Sequence, residues 1–145
     1  MSLQDKLFGF RSEKIKAEKE AGAKFLADNK NKPGVTELSN GIQYEVLKEG
    51  DGKQPKPTSM IKAHYRGCLL DGKEFDSSYK RNQPFTARLT QLIKGWQEVI
   101  PMMKEGSAWR LWIPSDLAYG DNGAGAGIPG GATLQFDVEL LQILD

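Results

Sequence analysis

Residues 133–144 read TLQFDVELLQIL. Leu134, Phe136, Val138 and Leu140 fall on every second position, with Gln135, Asp137 and Glu139 between them. Only an extended strand puts one such set on one face and the other set on the opposite face. One apolar face beside one polar face is the mark of an antiparallel sheet, because strands of parallel sheets are usually covered on both sides. Upstream, Gly120 to Gly131 carries glycine at 120, 123, 125, 127, 130 and 131 and reads as a long loop. Before it, Ala108 to Ile113 reads as another strand, ended by Pro114.

Residues 90–99, TQLIKGWQEV, place Leu92, Ile93, Trp96 and Val99 at helical spacing. They predict one short helix with Thr90 as N-cap, ended by Pro101. Farther back, Met60 to Leu70 is a strand with Ile61, Ala63, Tyr65 and Gly67 on one side and Lys62, His64 and Arg66 on the other. Asp71-Gly72 is a hairpin signal. Phe75 lies on the return strand, Asp76-Ser77-Ser78 breaks it, and Pro84-Phe85 restarts extended chain. Ile42, Tyr44 and Val46 alternate with Gln43 and Glu45, as in a half-buried strand. The expected fold class is therefore α+β: a mainly antiparallel sheet wrapped around one short amphipathic helix.

Residues 11–29, RSEKIKAEKEAGAKFLADN, predict a further helix rich in Ala, Glu and Lys, with Ser12 as its cap. Its apolar stripe is thin: Ile15, Ala21 or Gly22, then Phe25 and Leu26. Two readings stand: an exposed appendage, or a helix leaning on another surface such as a second copy of itself. Pro33-Gly34 stops it, so a helical extension over 1–34 precedes a domain over 35–145.

Composition excludes more than it selects. The net charge is +1, from 20 Lys and Arg against 19 Asp and Glu, which is no footprint for nucleic acid. The mean hydropathy of −0.52, with no apolar run near the roughly 20 residues of a spanning helix, argues against a membrane protein. Cys68 is the only cysteine, so no intrachain disulfide forms, which fits a reducing compartment. The expected location is cytoplasmic, or periplasmic or surface if a leader has been removed. His64 is the only histidine, which rules out zinc sites built on several histidines; no metal and no cofactor are expected. A Cys68–His64 pair fails on distance, since strand positions four apart lie about 13 Å from each other. What remains is a concentration of aromatic residues around a small core.

From Gly41 to Leu144 the ordered motifs Ala63-His64-Tyr65-Arg66-Gly67, Asp71 to Ser78, Pro84-Phe85 and Ile93-Lys94-Gly95-Trp96 stand in sequence. Met102 to Gly106, Pro114 to Gly120, Ile128-Pro129 and Ala132 to Leu140 follow. With these the chain resembles the FK506-binding protein family of peptidyl-prolyl isomerases. Its N-terminal helix with Phe25-Leu26-Ala27 resembles the bacterial macrophage-infectivity-potentiator-like branch, whose members dimerise through a longer helical part.

The resemblance implies a site. Trp96 would be the pocket floor, with Tyr65, Phe85, Ile93 and Phe136 as walls and Leu92 as neighbour to Ile93. Phe75 and Asp76 would stand at one rim, Asp76 either orienting Tyr65 or holding the rim turn. Tyr119 would offer its hydroxyl, and Ile128 its backbone N–H, to substrate carbonyls. Tyr65, Asp76, Trp96 and Tyr119 are thus the expected catalytic set. Bare residues leave a bland reading beside each: core for Trp96, a loop anchor for Tyr119, a turn cap for Asp76.

The chain departs from the family at Ala87, where a second aromatic usually stands, in a shorter Thr86–Leu92 segment, and in the small residues Ala124 and Gly127 of the loop. The implied activity is cis/trans rotation about Xaa-Pro bonds in polypeptide substrates during folding. The alternative is a non-catalytic peptide-binding or chaperone module using the same pocket. FK506- or rapamycin-type macrolides and a homodimer through the N-terminal helix are the other implied partners.

Overall fold

The computed structural model describes residues 3–125 and 127–145. Helix α1 (Leu3–Asn29) leads into β1 (Val35–Glu37), β2 (Gln43–Lys48), β3 (Met60–Leu69), β4 (Glu74–Ser77) and β5 (Phe85–Arg88). Then come α2 (Lys94–Val99), β6 (Ala108–Ile113) and β7 (Leu134–Ile143). The strands form one seven-stranded sheet in the order β1-β2-β6-β7-β3-β4, and β5 also pairs with β3. Every pairing is antiparallel.

The period-two pattern of β7 lands as expected. Leu134, Phe136, Val138 and Leu140 are 0–3% exposed and face the helix side of the sheet. Opposite them in register, Gly67 meets Phe136, Tyr65 meets Val138 and Ala63 meets Leu140 on β3, while Leu111 meets Phe136 on β6. Trp96, Val99 and Ile100 cover this face from α2 and the turn after it. Each aliphatic side chain buried here contributes roughly 1.5–3 kcal/mol relative to exposure, which is why the pattern dictates the register.

The helix expected over 90–99 is shorter and starts later. Leu89–Gln91 forms a 3-10 turn, Leu92 and Ile93 are extended, and α2 begins at Lys94. Thr90 is therefore not its N-cap. Instead Gln97 reaches back, its Nε2 donating to the Leu92 carbonyl at 2.6 Å, while the Trp96 and Gln97 amides donate to the Ile93 carbonyl. Pro101 does not stop the chain sharply but sits in a 3-10 turn, Ile100–Met102, that continues α2.

On the other side of the sheet, α1 starts well before Ser12, which lies exposed in its interior and caps nothing. No proline interrupts residues 3–11, so the helix propagates through them. Its stripe is thin because the surface it leans on is partly polar, and that surface is its own sheet. Phe25 packs on Trp112 with ring centroids 6.4 Å apart. Asn29 donates to the Gln43 side chain at 2.9 Å, and Gln43 donates to the Leu26 carbonyl at 2.8 Å. At Gly22 a Cβ would lie 2.2 Å from Thr133 Oγ1, so only glycine lets the helix seat this closely. Gln43, expected on a wet face, is consequently fully buried, with a further bond to Glu37. Val46, expected on the buried face, is 38% exposed. Leu3–Asn29 is not apolar enough to cross a membrane.

Candidate active site

At one end of α2, between it and the strands β3, β4 and β7, lies a cavity of about 190 Å³. It is smaller than the roughly 300–1,000 Å³ that drug-sized ligands occupy, and suits a single small ring with its flanking backbone. Nine residues line it: Tyr65, Phe75, Asp76, Phe85, Leu92, Ile93, Trp96, Tyr119 and Phe136.

Trp96, 5% exposed on α2, forms its base. Three rings stand around the indole: Tyr65 at 5.3 Å and 78°, Phe136 at 5.2 Å and 85°, and Phe85 at 5.6 Å and 53°. Edge-on and tilted contacts at these distances are the preferred geometry of aromatic pairs, so the walls hold one another as well as the floor. Phe75 stands edge-on to Phe136 at 5.7 Å. Both rings occupy the space over Gly67, where a Cβ would meet Phe75 at 2.6 Å and Phe136 at 2.9 Å. Leu92 and Ile93 join the lining from the extended stretch before α2; a continuous helix over 90–99 would have aimed them elsewhere.

The polar rim has one knot. The Tyr65 hydroxyl donates to Asp76 Oδ2, the Ser77 amide donates to Asp76 Oδ1 at 2.9 Å, and Arg81 pairs with the same carboxylate. Arg81 also donates to the Tyr65 hydroxyl at 3.2 Å and lies over its ring. Asp76 thus both orients Tyr65 and holds the rim turn. Burial pushes the Asp76 carboxyl up, but the hydrogen bonds from Tyr65 and Arg81 and the guanidinium charge outweigh it, leaving the group below the usual carboxylate range. Burial and the bond to Asp76 push the Tyr65 phenol up, with Arg81 offsetting part. Burial, then the Asp76 charge, pushes Tyr119 up as well. Tyr119 is 38% exposed, and its hydroxyl makes no hydrogen bond among the described residues. The rim therefore presents one anion already neutralised by its partners and one free O–H.

One expected site residue stands apart. Ile128 is buried, does not line the cavity, and donates its amide to the Ala124 carbonyl at 3.2 Å. Ala124 and Ile128 bridge the loop to itself, so the N–H expected for a ligand is used inside the loop. Conversely, Arg81 escaped the sequence reading. The only signal was a cation five residues after Asp76, in the turn that the serines open. His64 and Cys68 stay apart from this chemistry: His64 stacks on Tyr79 at 4.5 Å and its Nδ1 lies 2.7 Å from Ser78 Oγ, while Cys68 is buried. Among the described residues no group of three or more His, Cys, Asp or Glu side chains is placed to hold a metal ion.

Residues 51–141 match the family described as FKBP-type peptidyl-prolyl cis-trans isomerase, and residues 1–46 match the domain amino terminal to FKBP-type peptidyl-prolyl isomerase. The chain is 48% identical over 136 residues to the FKBP-type peptidyl-prolyl cis-trans isomerase FkpA of Aeromonas hydrophila, covering 90% of this chain and 50% of that protein. It is 47% identical over 119 residues to the peptidyl-prolyl cis-trans isomerase Mip of Coxiella burnetii, covering 82% of this chain and 52% of that one. The crystal structure of FkpA from Escherichia coli superposes with a TM-score of 0.92 at 36% identity, over 97% of this chain and 65% of the other. The chain thus spans about half the length of these two curated relatives.

Proposed function

The chain belongs to the FKBP-type peptidyl-prolyl cis-trans isomerase family, and from that premise we propose that its cavity accelerates rotation about Xaa-Pro bonds in polypeptides. The observation that carries the proposal is the Trp96 floor ringed by Tyr65, Phe85 and Phe136, with the Tyr119 hydroxyl unengaged beside it.

Rotation about a peptide bond costs about 18–20 kcal/mol because resonance must be lost. Uncatalysed Xaa-Pro exchange takes tens to hundreds of seconds. No bond to carbon breaks, so the reaction needs no nucleophile and no redox partner; it needs a site that holds the twisted imide better than either planar one. In the twisted state the carbonyl is less polar, and an aromatic cup suits it better than water does. The pyrrolidine would lie on Trp96 within the ring walls. The Tyr119 hydroxyl would donate to a neighbouring carbonyl, and Asp76 with Arg81 would keep the Tyr65 wall in place. Asp76 holds position: its carboxylate is already engaged by Tyr65, the Ser77 amide and Arg81, and rotation about the bond itself moves no proton.

An exchange assay on an Xaa-Pro tetrapeptide, by coupled proteolysis or NMR, tests this. Catalysed exchange well above background is expected. Tyr119→Phe should lower kcat/KM about two- to tenfold, the range of one neutral hydrogen bond of roughly 0.5–1.5 kcal/mol. Exchange at the background rate would leave the binding-module reading instead. FK506-type macrolides belong to the same proposal as competitors for the cup, and would slow the same exchange.

Self-association through α1 is also part of the reading. Ile15, Phe25 and Leu26, which first suggested it, are taken up by the chain's own domain. Its support is the match of residues 1–46 to the domain amino terminal to FKBP-type peptidyl-prolyl isomerase. Sedimentation of the full chain should give a concentration-dependent dimer, and a monomer at every concentration would remove this part.

A further inference from the structure

Four residues of α1 at helical spacing, Arg11, Ile15, Lys19 and Gly22, form one line along the domain. The first three all land on the loop that follows Tyr119. Arg11 donates to the Asn122 side chain at 3.2 Å, and Lys19 pairs with Asp121 at 2.7 Å, both on the outgoing arm of the loop. Ile15 sits on the returning arm: a Cβ at Gly131 would lie 2.7 Å from its carbonyl, and one at Gly130 would lie 3.1 Å from its side chain. The two arms are tied to each other where the Gly131 amide donates to the Gly120 carbonyl at 2.9 Å. Tyr119 is the residue immediately before this tie, and its hydroxyl makes no hydrogen bond among the described residues.

From this we infer that α1 is a strut for the cavity: Lys19, with Arg11 and Ile15, fixes the base of the loop and thereby the place of Tyr119. Lys19 acts through the loop and touches no substrate, so it is a positioning residue. The two glycines at 130 and 131 are what let a helix lie against the loop base, and Gly22 on Thr133 sets its height. The kinetic consequence rests on the isomerase reading above; the mechanical one does not.

The test uses the full chain with Lys19→Glu, Asp121→Lys and the two combined, and Lys24→Glu as a control on an exposed part of the same helix. Hydrogen exchange of the Gly131, Ala124 and Ile128 amides reports the loop, and KM and kcat on an Xaa-Pro tetrapeptide report the site. Each single reversal should speed loop exchange and raise KM about two- to fivefold, the range open to an exposed ion pair, with kcat within about twofold. The double variant should restore both, and Lys24→Glu should change neither. Single reversals that leave loop exchange at the wild-type rate, or a double variant that restores nothing, would overturn the inference. If the wild-type chain itself gives no catalysed exchange, the isomerase reading has failed, and the amide measurements still decide whether the strut exists.

Discussion

At the residue scale the site is governed by three groups that settle one another's charge. Asp76 is partly exposed, yet Tyr65, Arg81 and the Ser77 amide all donate to it. Its folded pKa is lowered, so its contribution is present above the ordinary carboxylate value near 4 and is lost as pH falls through the lower folded value. Tyr65 and Tyr119 are raised, so their neutral forms persist past the ordinary phenol value near 10, and their contribution is lost as pH rises through the folded values. No group lining the cavity titrates between these limits, and kcat/KM should be flat from about pH 5 to pH 9. Arg81→Met removes one hydrogen-bond donor and the guanidinium charge, leaving burial to act on Asp76 with less opposition. The acid midpoint of kcat/KM should then rise. A pH–rate profile of both proteins checks this, and an unmoved midpoint would show that Asp76 does not set the acid limb.

At the element scale, what was legible in the sequence is what a short window contains. Leu134, Phe136, Val138 and Leu140 announce β7 because period two is a property of neighbouring residues. The Asp71-Gly72 turn is local too: the Gly72 amide donates to the Leu69 carbonyl at 2.9 Å. The stretch from Thr90 to Val99 misled because Leu92, Ile93, Trp96 and Val99 satisfy helical spacing whether or not the backbone coils at 92 and 93. Cavity lining, decided by Phe85 and Phe136 from distant strands, favours the extended form there. The resemblance to a family put Trp96, Tyr65 and Tyr119 around one space. The motifs alone carried no sign that the Ile128 amide would close on Ala124, because that bridge depends on how a glycine-rich loop folds back. Gln43 shows the same limit. Its burial is set by Leu26 and Asn29, on a helix whose polar contacts look like solvent-facing residues in the sequence.

At the scale of the whole molecule, the sheet has two covers, one on each face. α2 closes the aromatic face; α1 closes part of the opposite face through Gly22 on Thr133, Phe25 on Trp112 and Asn29 on Gln43. A helix as polar as α1 has little to hold it in water once detached, since most helical stability in proteins comes from tertiary packing. Detaching it would also exchange the Asn29–Gln43 hydrogen bond for bonds to water, a net loss of roughly 0.5–1.5 kcal/mol. The two covers should therefore be lost together. In urea, helix content by far-UV dichroism and tryptophan fluorescence should give one transition with midpoints agreeing within about 0.2 M, as two-state unfolding of a small domain requires. Gly22→Val separates the possibilities further. The added side chain collides with Thr133, so in that variant the dichroism midpoint should fall below the fluorescence midpoint as α1 frays first. If the wild-type chain already loses helix at lower urea than it loses tryptophan signal, α1 is an independent arm. It then cannot act as the mechanical support of Tyr119.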